Sequence, residues 1–421
     1  MATAFKSADI LLPKEGTDMS KWAVIACDQY TSEPEYWEKT AEIVGDAPST
    51  LNLILPEVYL EDEDVDARLE KIHASMKEYQ EAGIFTEHKD SMIYMERTDS
   101  TGKVRAGLIG KLDLEEYNYQ KGSKSQVRAT EATVVERIPP RIKVRKGADV
   151  ELPHIMILID DDKKTVLEPL GEKKDSLEKA YDFTLMQGGG SVKGYLLGEE
   201  DKKAVDDALT ALCDLDAFNA KYGLEEENVL LYAMGDGNHS LATAKEFYEQ
   251  LKAANPDKDL SNHPARYALV EIVNLHSPAL EFEAIHRILT DVDADDLVAK
   301  MTDALGISKE GEGQKLLMVR EGKEEEIVIT KPCSKLTVGS LQSFLDSYLK
   351  EVGGKIDYIH GSDTLKNLTK QPNSIGFILP DMGKEELFPT VICDGALPRK
   401  TFSMGHAEDK RYYIECRKIT E

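Results

Sequence analysis

The six residues Gly235-Asp236-Gly237-Asn238-His239-Ser240 set four side chains able to do chemistry around two glycines. The apolar run Val229-Leu230-Leu231-Tyr232-Ala233-Met234 before them reads as a buried strand, and Leu241–Tyr248 after them reads as a helix. A strand, a glycine-rich turn and a helix start bring backbone N–H groups together where an anion can sit. Two glycines let the backbone turn tightly and approach a ligand without a Cβ in the way. Asp236, Asn238, His239 and Ser240 add groups suited to acid–base work, metal binding or phosphate contact. The same residue types also serve as ordinary helix N-caps, so a plain capped turn is the alternative reading. The stretch is not a Walker loop, because no Lys-Ser/Thr follows the last glycine. Nor is it G-x-G-x-x-G, because Ser240 holds the third glycine position.

Three further groupings could serve the same chemistry. Asp28 lies just past the apolar run Trp22–Cys27, and in open α/β sheets ligands bind beyond strand ends. A surface turn carboxylate is the alternative. Arg128, Arg137, Arg141, Lys143, Arg145 and Lys146 form a basic island around Pro139-Pro140. Arginine offers a planar fork for oxyanions. Glu131 and Glu136 lie inside the island, where neighbouring cations favour their ionised forms. From Arg141 onward the charges alternate with period two, so a solvated strand pair is the alternative. The third grouping is Leu397–His406, in which Arg399, Lys400, Thr401, Ser403 and His406 could wrap a phosphate. An ordinary polar loop leading into a last strand, Tyr412–Cys416, is the alternative.

Other chemistries lack their signatures. The nine histidines include no H-E-x-x-H and no H-x-H, so a zinc site has no support, and nothing signals haem or flavin. His154 and His286 adjoin apolar runs and read as satisfied buried histidines. No G-x-S-x-G elbow occurs. Carboxylates near phosphate-friendly groups still allow a substrate-bridged Mg²⁺.

At 421 residues the chain predicts two or three domains. A net charge of −26 opposes general binding to nucleic acid or an anionic membrane, which Lys and Arg would have to supply. It leaves room for a phosphorylated small molecule in a local basic pocket. No apolar run reaches the roughly 18 residues of a membrane span. The N-terminal residues lack a signal-peptide core, which makes the cytoplasm the expected location. The five cysteines form no C-x-x-C, and each reads as a small buried hydrophobe.

The elements that must position these groups can be read from periodicity. Trp22–Cys27 reads as a strand, and Ser32 with Glu35 reads as a capping box before a helix. Apolar spacing predicts a helix over Asp64–Ala82, and Ser91–Arg97 with Val104–Asp113 predicts a hairpin. Ile155–Ile159 and Tyr267–Val273 read as buried strands. Ser176–Gln187 reads as a helix stopped at Gly188, and Lys202–Leu215 as another. In the last third, helices are expected over Asp293–Leu305 and Val338–Val352. A hairpin is expected over Lys315–Ile329. Ile356–Ile359, the helix Ser362–Lys370 and Ile375–Leu379 suggest a βαβ crossover.

The order of these pieces resembles the bacterial "domain of unknown function 1015" family. The resemblance rests on Trp22–Ser32, Arg128-Ala129-Thr130-Glu131-Ala132-Thr133, Gly235–Ser240 and Leu397-Pro398-Arg399-Lys400-Thr401, which span nearly the whole chain in family order. Many relatives carry Asp-Gly-His-His-Arg at the central motif. Asn238 and Ser240 stand here at the first His and the Arg, so no role of that Arg carries over. The Asp-Gly-x-His turn before a helix is similar to the phosphate-binding turn of the ParB/sulfiredoxin-like fold, which includes free-serine kinases.

The resemblance implies a mixed α/β (α+β) fold: a ParB/sulfiredoxin-like core with insertions over residues 1–290, and a smaller α/β domain over 291–421 whose last loop returns to the site. It implies a phosphotransferase or phosphatase acting on a small hydroxylated metabolite such as serine or phosphoserine, with a nucleotide and Mg²⁺. A non-catalytic nucleotide or phosphometabolite sensor is the alternative. In this picture Gly235, Gly237, Asn238 and Ser240 cradle phosphate. Asp236 or Glu131 serves as base or metal ligand, and His239 and Asp28 join the chemistry. Arg137, Arg141, Arg399, Lys400 and Thr401 hold the developing charge.

Overall fold

Buried apolar runs build a mixed sheet of ten strands in the first of two units. The computed structural model describes residues 3–405 and 407–421. The first unit is the chain up to Leu280 together with the C-terminal stretch after Gly405, and the second is Glu281–Gly405. In the large sheet the strands run in the order Glu178–Thr184, Ser191–Leu196, Ile93–Thr98, Val104–Asp113, Tyr267–Asn274, Met156–Ile159, Tyr232–Asp236, Val127–Arg128 and Tyr117–Asn118. Phe5–Lys6 also pairs with Val104–Asp113. Met156–Ile159 is parallel to Tyr267–Asn274 and antiparallel to Tyr232–Asp236. These central strands are almost wholly apolar and buried, as strands covered on both faces must be.

Several elements depart from the pattern read in the sequence. Trp22 ends a helix, Met19–Trp22, and only Val24–Ile25 is strand. The helix Pro34–Val44 starts with Glu33 at its N-cap and no side-chain cap bond, so Ser32 makes no capping box. Ser176–Gln187 is not helical. Glu178–Thr184 pairs with Ser191–Leu196 as a hairpin, and Gly188 and Gly190, both at positive φ, form its turn. The glycines that look like a helix stop therefore reverse a strand. The alternating Arg141–Arg145 segment is a helix, Ile138–Arg145, with proline in its first turn, where the missing N–H costs nothing. It packs against the helix Asn238–Ala254. Lys202–Leu215 divides into Glu199–Leu212 and Leu215–Tyr222, the second capped by Asp214. Cys333 and Cys393 are exposed rather than buried.

The second unit holds a six-stranded antiparallel sheet in the order Ile307–Ser308, Lys323–Ile329, Gln314–Arg320, Ser374–Ile378, His286–Thr290 and Lys355–Ile359. Lys355–Ile359 and Ser374–Ile378 are parallel to each other, joined through the helix Ser362–Leu368. His286–Thr290 lies between them, so the crossover spans a strand rather than joining neighbours. Ala294–Leu305 and Thr337–Val352 are helices, as apolar spacing indicates. Both units are mixed α/β.

The C-terminal stretch is stitched into the first unit by unlike means. Tyr412–Tyr413 pairs with Val24–Ile25, and Arg417–Lys418 with Val150–Glu151. Leu11 and Cys416 exchange two backbone hydrogen bonds, of 2.8 and 2.9 Å. The Trp22 indole donates to the Ile414 carbonyl at 2.9 Å. Arg411 is buried and donates to Glu271 at 2.7 Å and to Glu415 at 2.5 Å. Burial alone would push the Glu271 carboxyl up. Arg105 and Arg411 outweigh it and hold the group below its ordinary 4.5.

A folded pKa below the unfolded one gives stability that is present above 4.5 and lost as pH falls through the folded value. Arg411→Met leaves Glu271 and Glu415 with fewer partners in the interior, which costs about 3–5 kcal/mol. Urea unfolding should show that loss at neutral pH, and acid unfolding should begin at a higher pH than in the wild type. Unchanged urea and acid midpoints would mean that this pairing does not hold the C-terminal stretch.

Candidate functional site

The antiparallel register sets Asp236, the last residue of its strand, opposite Met156, with a bulge between Met156 and Ile157. The stretch just before Met156 therefore runs beside the turn that follows Asp236. Gly237 makes that turn at φ +83°, and a Cβ there would lie 3.1 Å from Ile155 Cα and 3.6 Å from His154 Cδ2. Both the left-handed backbone and the close approach require glycine. The helix Asn238–Ala254 begins at once, without a side-chain cap. Leu241 N–H is bonded to the Gly237 carbonyl at 3.0 Å. The Asn238 Oδ1 is buried with no hydrogen-bond partner among the described residues. A plain capped turn is thus not what these residues form. Asp236 Oδ1 accepts instead from Gly237 N–H at 3.0 Å, and Lys410 donates to Asp236 Oδ2 at 3.0 Å.

His154 joins this turn to Asp28. It is 5% exposed, and its Nε2 lies 3.2 Å from Asp28 Oδ2 and 3.3 Å from Ser240 Oγ. Its Nδ1 meets the Tyr413 hydroxyl at 2.8 Å. That hydroxyl donates to Cys27 Sγ at 3.1 Å and accepts from Cys27 N–H at 3.2 Å. Gln29 donates to Asp28 Oδ1 at 3.0 Å. Burial alone would lower the His154 pKa, but the charge and hydrogen bond of Asp28, with the charge of Asp236, raise it above 6.5. Burial alone would raise Asp28, and His154 and Gln29 outweigh it and hold the carboxyl well below its usual range. The arrangement is not a serine–histidine–aspartate relay. In a relay the acid and the hydroxyl take opposite ring nitrogens, whereas here they share Nε2 and tyrosine holds Nδ1.

The basic island contributes structure first. Arg128 is buried, donates to the Ser125 carbonyl at 2.9 Å, and sits in a strand parallel to Tyr232–Asp236. Thr130 donates to the Met234 carbonyl at 2.8 Å, which leaves Glu131 immediately after that anchor and half-buried. Arg141 is paired with Glu57 at 2.5 Å, and Arg145 with Glu151 at 2.6 Å. Arg137 is exposed, and its carbonyl accepts from Arg141 at 2.8 Å. His239 is half-buried in the first turn of the helix, and its carbonyl accepts from Thr243 at 2.7 Å. In the second unit Arg399 donates to Asp346 and Tyr358, both at 2.5 Å. There Lys400 is exposed at φ +55°, and Thr401 is buried and donates to Pro398. His406 lies outside the described residues.

The structure therefore brings Asp28, Asp236, Gly237 and Ser240 together, and Arg141 lines a cavity shared with His154 and Ser240. The sequence pattern does not single out His154, Lys410 or Tyr413 for this place. His154 carries a signal that periodicity can give, because it precedes a buried strand that can pair beside Asp236.

The model of a family described as "Protein of unknown function (DUF1015)" matches residues 11–348. The chain belongs to the DUF1015 family. No curated protein matches this DUF1015 chain. Among solved structures it is similar to a free serine kinase in complex with AMP, at 12% identity and a TM-score of 0.39, covering 74% of this chain and 92% of that one. It is also similar to a conserved hypothetical protein from Pyrococcus furiosus, at 10% identity and 0.36, covering 74% and 95%. A third is SbnI with a C-terminal truncation from Staphylococcus aureus, at 10% identity and 0.37, covering 70% and 82%.

No group of three or more His, Cys, Asp or Glu able to hold a metal occurs among the described residues. Asp28 is taken by His154 and Asp236 by Lys410. These residues make no cage for the expected Mg²⁺. No helix among the described residues is long and apolar enough to cross a membrane.

The raised His154 pKa gives stability that is full below 6.5 and lost as pH rises through the folded value. The lowered Asp28 pKa gives stability lost as pH falls through its own folded value. The pair is fully formed between the two. An NMR titration should place His154 above 6.5 in the wild type and lower in Asp28→Asn, where burial prevails. The same titration curve in both proteins would separate Asp28 from His154 electrostatically.

Proposed function

We propose that this DUF1015 protein is a phosphoryl-transfer enzyme, a kinase or phosphatase acting on a small hydroxylated metabolite. The observation that carries the reading is the meeting of two pairs, Asp28–His154 and Asp236–Lys410, at the uncapped start of the Asn238–Ala254 helix. The first-turn N–H groups of a helix have no intrahelical partner and suit phosphate oxygens. The Asn238 Oδ1, partnerless among the described residues, is an acceptor and suits the hydroxyl of the substrate rather than a phosphate oxygen. The likeness of the Asp-Gly-x-His turn to the phosphate-binding turn of the ParB/sulfiredoxin-like fold supports the same role.

In this reading the turn at Gly235–Ser240 holds the phosphate, and Lys410 swings part of its charge from Asp236 to the transferring group. Phosphoryl transfer asks for positioning and charge neutralisation more than for covalent help. Asp236, released from part of its ion pair, accepts the proton of the attacking hydroxyl as that oxygen bonds the transferred phosphorus and the bond from this phosphorus to the leaving nucleoside diphosphate oxygen breaks. His154 holds a proton on Nε2 between Asp28 and Ser240 and orients the hydroxyl of Ser240 toward the phosphate. A nucleotide is the donor in the kinase direction, with serine as a first acceptor to try.

Phosphorus NMR of the protein with a nucleoside triphosphate and serine, and separately with phosphoserine, tests the reading. Asp236→Asn keeps the shape and should lower turnover by about 10²-fold or more, with affinity changed far less. Gly237→Val should abolish binding, since its side chain meets Ile155 and a left-handed backbone. If the wild type binds nucleotide without turnover on any hydroxylated acceptor, and Asp236→Asn binds equally well, the protein is a sensor and the enzyme reading fails.

A further inference from the structure

Beside His154 and Ser240 lies a cavity of about 160 Å³. Leu53, Leu55, Met76, Val144, Ala148 and Leu152 belong to its apolar wall. The polar groups at its rim, Cys27, His154, Ser240 and Tyr413, are those of the site above. Two arginines also reach the wall, Arg141 paired with Glu57 and Arg145 with Glu151, a carboxylate that Arg417 shares. Each of these guanidinium groups already has a carboxylate partner, so neither stands as a free clamp for a carboxylate or phosphate. A charged group entering it would lose its hydration without replacement. An apolar cavity of about 150 Å³ is the size that takes up benzene.

We infer that this cavity is a specificity pocket for a neutral, apolar, ring-sized group of the substrate. The hydroxyl of that substrate lies at the rim, against His154 and Ser240, while its apolar body fills the space between the leucines and Met76. The assignment of the hydroxyl as phosphoryl acceptor rests on the proposed phosphoryl transfer. The pocket itself does not. It shifts the acceptor class from a compact zwitterion such as serine, which has no apolar body to bury, to a small amphipathic alcohol. Filling such a space removes ordered or poorly bonded water and buries apolar surface on both sides.

The test uses the full chain with ¹³C-methyl-labelled methionine and benzyl alcohol as the probe. The Met76 methyl resonance should shift saturably with benzyl alcohol and stay in place with serine at the same concentration. Ala148→Leu fills part of the pocket and should weaken benzyl alcohol binding by about tenfold or more. Ala148→Val, a smaller fill, gives the same comparison if the leucine variant fails to fold. A Met76 resonance that does not move, or binding that is equal in wild type and the filled variant, overturns the inference. Phosphorus NMR read in parallel keeps the two proposals apart. Saturable, Ala148-sensitive binding without phosphate transfer leaves the pocket standing and removes the phosphoryl reading. Transfer to serine with Met76 unmoved does the reverse.

Discussion

The ion pair between Arg411 and Glu271 is buried at both ends, and the candidate site hangs from it. Glu271 sits in the middle of a central strand and is 0% exposed. It is tolerated there because Arg105 and Arg411 both reach it and because Gly107, on the facing strand, leaves the space that a Cβ would take. An unpaired carboxylate in that position would be strongly destabilising. The pair fixes the C-terminal stretch at Arg411, and the residues on either side of it are then set. Lys410 reaches Asp236 and Tyr413 reaches His154, so two contacts that define the site come from a stretch whose position is decided by a charge beneath it. The Trp22 bond to Ile414 and the Leu11–Cys416 bridge continue the same attachment along the N-terminal layer.

Charge near the turn is matched within short distances although the chain as a whole is strongly acidic. Arg141 faces Glu57, Arg145 faces Glu151, Lys410 faces Asp236, and His154 faces Asp28. In the proposed phosphoryl-transfer reading, an incoming anion therefore meets no bare arginine clamp. It would meet backbone N–H groups at a helix start and a lysine shared with a carboxylate. Such a site would discriminate by shape, because a helix N-terminus contributes only a fraction of a charge. The shared Nε2 of His154 matters in the same way. A proton there bridges Asp28 and Ser240, whereas Tyr413 and Cys27 hold the far side of the ring.

The sequence carries the local part of this arrangement and little of the distant part. The strand, the Gly237 turn and the helix after it follow from periodicity and glycine placement, and all three are present. The same reasoning fails where one residue type serves two purposes. Gly188-Gly189-Gly190 stops a helix or turns a hairpin equally well, and only the partner strand Ile93–Thr98 decides for the hairpin. Period-two charge in Arg141–Arg145 suits a strand, yet the two prolines before it start a helix, and its cations turn toward Glu57 and Glu151. Lys410 and Tyr413 lie 174 and 259 residues from their partners, and no local pattern records such contacts.

The basic island shows how packing reassigns charge. As a composition it suits phosphate, and as a structure it joins three elements. The helix Ile138–Arg145 lies against the helix that starts at Asn238, and its arginines reach Glu57 on one side and Glu151 on the other. Glu151 is buried and also accepts from Arg417 and from Leu269 N–H, so the same carboxylate ties the island to the sheet and to the C-terminal stretch. Burial would lift the Glu151 carboxyl, and Arg417 and Arg145 hold it below its usual range instead. Pairing the arginines in this way lets apolar groups line the rest of the adjoining cavity. The polar turn and the largely apolar cavity then meet at His154 and Ser240, so one histidine faces both the start of a helix and an apolar wall.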